Sequence, residues 1–120
     1  MTTPNFELKG RRVWLQPLER RHEPSLLAVA QGDRSTFGLT TVLPTREGMA
    51  SYVDHALRER DAGRAWPFAT CLPSGEVVGS TRFFDLARFD WAQSDPPRPP
   101  DPLVARTYDG LEIGYTFLAP

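Results

Sequence analysis

The 120-residue chain has one cysteine, one lysine and two histidines, and the scarcity of cysteine and histidine closes off two classes of protein. A lone Cys71 cannot form an intramolecular disulfide, so no disulfide framework is possible. Cys71 stands between Thr70 and Leu72 in a predicted strand. It reads as a buried structural thiol, because neither His22 nor His55 lies in a partner context for a nucleophile. Two histidines and one cysteine far apart in sequence make no metal-ligand cluster. No apolar run approaches the ~20 residues of a membrane span. Residues 1–5 lack a basic segment followed by an apolar core, so no signal peptide is expected and a cytoplasmic location is the default. The net charge of −1 supplies no general pull toward nucleic acid or an anionic membrane. Lys9 is the only lysine among many arginines, a bias with no structural reason in the sequence. There is no internal repeat.

What is present suits one small domain. Hydrophobic residues at 40% and charged residues at 24% are ordinary globular values, and 120 residues can bury one core but not two. Arg11 to Leu18 reads as a strand, with Val13 and Leu15 alternating with Trp14 and Gln16. Glu23-Pro24 opens a helix whose apolar face is Leu26, Leu27 and Ala30, ending at Gly32. Residues 33–44 form a polar loop carrying Phe37, Leu39 and Leu43. Thr45 is an N-cap for a second helix over about 46–62. There Met49, Val53, Ala56, Leu57 and Arg60 fall on one helical stripe, and Gly63 stops it. Ala65 to Leu72 and Glu76 to Asp85 are strands around the turn Pro73-Ser74-Gly75. Five of the 12 prolines break residues 88–110, which reads as a Pro-rich insertion loop.

The last stretch, Leu111 to Pro120, is strand-like. Leu111, Ile113, Tyr115 and Phe117 alternate with Glu112, Gly114 and Thr116, which predicts one dry face. A glycine inside a strand weakens it unless it allows a bulge or a close approach, so Gly114 points beyond packing. Tyr115 is set aside as a proton donor because its face is the dry one. The order is strand, helix, helix, strand, strand, long loop, strand. That is an α+β domain with a mainly antiparallel sheet of four strands.

Leu8-x-Gly10-x-Arg12-Val13-x-Leu15-x-Pro17-Leu18, with His22 after it, resembles the opening of GNAT (GCN5-related) N-acetyltransferases. The resemblance is to the branch that acetylates protein N-terminal amines, including those of ribosomal proteins. Gly75-Glu76-Val77-Val78-Gly79-Ser80-Thr81-Arg82 resembles that family's third strand, and Glu112 to Pro120 its fourth. The resemblance runs over nearly the whole chain in the family's order. It implies a partial GNAT fold ending at the fourth strand, with acetyl-CoA as co-substrate. It further implies that the pantetheine arm pairs with exposed backbone of that strand, where a bulge aims an amide at the thioester carbonyl. Cofactor contacts would then fall at Gly114 and at backbone groups of Phe117 and Leu118. Glu112 is the candidate general base, and Trp66, Arg82 and Phe84 are candidates to line the amine pocket. Freeing an α-amine of pKa about 8 at pH 7 costs about 1.4 kcal/mol, against about 4–5 for lysine. One carboxylate acting through water therefore suits a protein N-terminus or a small, weakly basic amine.

One departure counters these matches. The family grips the CoA pyrophosphate with a Gln/Arg-x-x-Gly-x-Gly/Ala loop that follows the fourth strand and opens a helix. The only formal match here, Arg60-Asp61-Ala62-Gly63-Arg64-Ala65, closes a helix instead, so we reject it as a phosphate loop. Little or no acetyl transfer is expected of these 120 residues alone. Two alternatives stay open: a non-catalytic interaction module, with Arg98 between Pro97 and Pro99 in its recognition segment, or a truncated gene remnant. Under any of these readings strand 111–118 is an apolar sheet edge, a template for self-association. Sedimentation at high concentration is expected to show dimers or larger species; a clean monomer would contradict this.

Overall fold

The computed structural model describes residues 7–35, 37, 42, 44–87 and 110–120. The predicted loop's Leu39 and Leu43, and the proline-rich connection up to residue 109, lie outside the described residues. The elements are β1 (Leu8–Lys9), β2 (Trp14–Pro17), a 3-10 turn (Arg20–His22), α1 (Glu23–Gln31), α2 (Arg46–Asp61), β3 (Ala65–Cys71), β4 (Val77–Ala87) and β5 (Gly110–Leu118). The strands form one sheet in the order β1-β2-β3-β4-β5, each pair antiparallel. The α+β class is as expected, with five strands in place of four. The predicted first strand, Arg11 to Leu18, shrinks to β2 because a turn occupies its first residues, and the short β1 lies before that turn. The Gly10 N–H donates to the Val13 carbonyl at 2.9 Å, and the paired arginines Arg11 and Arg12 are left exposed in the bend.

Local chemistry explains the helix ends. The Thr45 hydroxyl accepts the Gly48 N–H at 2.9 Å, capping α2 as anticipated. Gly63, at φ 76°, takes the left-handed conformation that turns the chain from α2 into β3. The Ala62 and Gly63 amides are spent on carbonyls of Arg58 and Arg60. The rejected phosphate-loop match therefore lies at a helix C-terminus with its amides occupied. Gly75, at φ 94°, makes the β3–β4 turn, with the Leu72 N–H bonded to the Glu76 carbonyl.

Cross-strand partners share a face of a sheet. Ala69, Ser80 and Phe117 stand on one face, and both helices bury their apolar stripes there. Leu26 and Ala30 of α1 and Met49, Val53 and Ala56 of α2 are 0% exposed in this core. Cys71 is buried in the same cluster, and burial pushes its thiol pKa up, as befits a structural thiol. Arg60, at the end of the α2 stripe, reaches the Leu18 carbonyl.

The final strand does not have the uniform dry face predicted from its alternation. Phe117 is 2% exposed, but Ile113 is 68% and Tyr115 54%. A bulge is the reason. Gly114 pairs with Arg82, whereas Phe117 pairs with Ser80, so Tyr115 and Thr116 together oppose Thr81. One extra residue reverses the phase of alternation. Ile113 is thereby on the face away from the helices, across from Phe83, while Phe117 enters the core.

His22 closes the 3-10 turn, its Nδ1 accepting the Glu19 N–H at 3.0 Å. Burial lowers its pKa, assisted by Arg21, and outweighs the opposing pull of Glu19. A histidine whose folded pKa is depressed binds its proton more readily in the unfolded chain. The folded state thus keeps its full stability above pH ~6.5, loses it as the pH falls below that value, and levels off under the folded pKa. Urea unfolding between pH 8 and pH 5 is expected to show this slope, and His22→Asn to flatten it. An unchanged slope in that variant would assign the effect elsewhere.

Candidate functional site

The bulge and a second irregularity in β4 frame one cleft. Register shifts again between Phe84 and Ala87, so Asp85 and Leu86 oppose Leu111. Asp85 (φ 49°) and Tyr115 (φ 51°) are the non-glycine residues with positive φ among those described. Such conformations cost of order 1–3 kcal/mol and gather at functional sites. Both residues line the same cleft of about 230 Å³, with His55, Glu59, Arg64, Ala65, Arg82 and Phe84.

Arg82 is the floor of this cleft and only 2% exposed. Its guanidinium lies 4.3 Å from the ring centre of Tyr115 and 5.3 Å from that of Tyr52. Its Nη1 is 3.3 Å from His55 Nδ1. A guanidinium only donates, so Nδ1 accepts and the imidazole proton sits on Nε2. That nitrogen faces Glu59 Oε1 at 3.4 Å, one helical turn away on α2. Glu59 is also bonded by Arg64. That hydrogen bond first, then the Arg64 charge with smaller effects of His55 and Arg82, hold the Glu59 carboxyl below the usual range against the opposing effect of desolvation. Glu59 is thus an ionised carboxylate and a weak proton acceptor.

Tyr52, on α2, fixes the bulge. Its hydroxyl donates to the Tyr115 carbonyl at 3.0 Å and lies 3.1 Å from Ser80 Oγ, which in turn reaches the Phe68 carbonyl at 2.8 Å. Its ring also packs edge-on against Phe117, with centres 5.3 Å apart. Across the other face the hydroxyls of Thr81 and Thr116 meet at 2.6 Å. Gly114 has a local steric role: a Cβ there would stand 2.6 Å from the Phe84 ring. The glycine lets that ring lie over the strand, where it meets Tyr115 edge-on at 5.2 Å.

Of the residues nominated from sequence, Arg82 and Phe84 lie in the cleft. Trp66 does not: it pairs with Phe83, and alternation puts it on the opposite face. Glu112 is exposed and pairs with Phe84, on the cleft face but outside the lining. Gly114 lies under Phe84, Phe117 is core, and Leu118 is 42% exposed near the end of the edge strand. Tyr115, set aside as dry, is exposed in the cleft. His55, Glu59, Arg64 and Asp85 were not nominated. The i, i+4 spacing of His55 and Glu59 beside the apolar stripe of α2 was the available signal.

No protein-family model and no curated protein matches the sequence. Solved structures do. A GCN5-related N-acetyltransferase from Brucella melitensis superimposes with a TM-score of 0.63 at 22% identity, covering 98% of this chain and 46% of that one. RimL, a ribosomal alpha-N-protein acetyltransferase in complex with coenzyme A, gives 0.58 at 14%, covering 92% and 53%. The microcin self-immunity acetyltransferase MccE, in complex with acetyl-CoA and AMP, gives 0.61 at 10%, covering 92% and 52%. The chain has the fold of GNAT acetyltransferases and spans about half the length of these structures.

Tyr52→Phe removes the hydroxyl that ties α2 to the bulge. It is expected to cost about 1 kcal/mol in urea unfolding and to shift the backbone resonances of Tyr115 and Ser80. No change at either position would show that the bulge holds without Tyr52.

Proposed function

We propose that these residues form the acceptor cleft and cofactor strand of an N-acetyltransferase that moves an acetyl group from acetyl-CoA to a primary amine. The acceptor is a protein N-terminus or a small-molecule amine. The observation that carries this reading is the bulge at Tyr115-Thr116, which joins an approachable strand edge to a charged cleft within a GNAT fold. Edge strands present unpaired N–H and C=O groups. β5 is last in the sheet order, so its outer edge fits the amide-bearing pantetheine arm. The backbone of Gly114, Phe117 and Leu118 would hold that arm, and acetyl-CoA would supply an activated thioester.

The chain's own groups divide the remaining work. An amide held at the bulge toward the developing oxyanion contributes on the order of 3 kcal/mol. Glu112, exposed on the cleft face, is the proposed base, acting through water on an amine of pKa near 8. Glu59 in the cleft is less suited to that role, because Arg64 and His55 already engage it. Arg82 and Phe84 line the acceptor cleft, and Trp66 is left outside it.

This arrangement predicts recognition through the strand edge and not through phosphates, since the Ala62, Gly63 and Arg64 amides of the formal phosphate-loop match are occupied. Calorimetric titration is expected to give acetyl-pantetheine and acetyl-CoA similar, weak affinities, each perturbing β5 resonances. Failure of both to touch β5 would overturn the proposal. Acetyl-CoA binding more than tenfold tighter would show a phosphate grip that this reading denies. Glu112→Gln is expected to leave both affinities in place and to lower amine-dependent turnover in any form of the protein that acetylates.

A further inference from the structure

We infer that Arg82 binds a carboxylate on the acyl acceptor, so that the cleft selects an amine that also carries a carboxylate. The inference rests on reading the cleft as the acceptor site.

Arg82 is a permanent cation at 2% exposure, yet it takes part in no ion pair among the described residues. A carboxylate that lines the same cleft, Glu59, is turned to Arg64 and His55 instead. His55 gives Arg82 an acceptor at Nη1, and the rings of Tyr115 and Tyr52 give it π faces. Nη2 is buried and finds no hydrogen-bond acceptor among the described residues. A guanidinium out of water without a counter-charge is costly, and a carboxylate is the group its planar fork matches. The unpartnered Nη2 therefore marks where a ligand's anion completes the site.

The cleft also argues for the kind of anion. Glu59 and Asp85 line it too. They would repel a phosphate dianion but attract the ammonium of a zwitterion. At about 230 Å³ the space is smaller than the ~300 Å³ at which pockets for drug-sized ligands begin. An acceptor with its amine toward the carboxylates and its own carboxylate on Arg82 satisfies both poles. That chemistry is found in a free amino acid and in a peptide whose first residue is acidic.

Two matched probe pairs separate these sources by NMR-detected titration of the 120-residue chain. One pair is 4-aminobutanoate against n-butylamine, and the other is aspartyl-alaninamide against asparaginyl-alaninamide. At least one carboxylate probe is expected to bind tenfold or more tightly than its neutral match, with a shift of the Arg82 guanidinium resonances. The pair that shows the gap identifies a free small amine or a peptide N-terminus as the source. Arg82→Gln is expected to close the gap. The wild-type comparison stands alone should that buried substitution unfold the chain. Equal binding within both pairs overturns the carboxylate inference and leaves the acceptor cleft intact, whereas no binding by any probe overturns the acceptor reading with it. A gap that persists in folded Arg82→Gln also overturns the inference.

Discussion

One inserted residue in β5 governs what the sheet can present. Without the bulge, regular alternation would keep Phe117 on the outer face with Ile113. With it, Phe117 drops into the core against Phe37 and Tyr52 while Ile113 stays outside. The same irregularity turns the Tyr115 ring over Arg82. Packing and cleft thus share one cause. The positive φ of Tyr115 is tolerated because both flanks are tied down: Tyr52 holds its carbonyl, and the buried Phe117 anchors the strand beyond it. Gly79 completes the fit, since a Cβ there would collide with the Phe117 carbonyl.

Helix α2 connects that constraint to chemistry. Its apolar stripe of Met49, Val53 and Ala56 anchors it on the sheet. The flank of the stripe carries Tyr52 toward the bulge and His55 and Glu59 toward Arg82. The arrangement is electrostatically lopsided. Glu59 has two partners, whereas Arg82 has an imidazole acceptor, two aromatic faces and an unpartnered Nη2. A folded chain retains such an imbalance at a cost in stability, and a ligand that relieves it gains the corresponding selectivity.

Much of the fold was legible in the residues, for local reasons. Thr45 and Gly63 mark the ends of α2 through capping and a left-handed turn, and Gly75 marks the β3–β4 turn. The start of the first strand is not legible, because Gly10 to Val13 closes a turn that alternation of apolar residues does not register. The site was less legible because its parts are distant in sequence. Arg82 and Phe84 could be nominated from their place in a recognisable strand. His55 and Glu59 could not, since their meaning depends on which helix face meets Arg82. Tyr115 is hidden for a different reason: the period of two breaks at the bulge, and apolar alternation carries no mark of that break.

The central claim is the register of β4 against β5. Cross-strand NOEs and amide exchange on the isotope-labelled chain test it directly. The account predicts contacts pairing Arg82 with Gly114 and Ser80 with Phe117, leaving Tyr115 and Thr116 both opposite Thr81. A continuous ladder pairing Ser80 with Thr116 would contradict it, and would remove both the exposed bulge and the framed cleft.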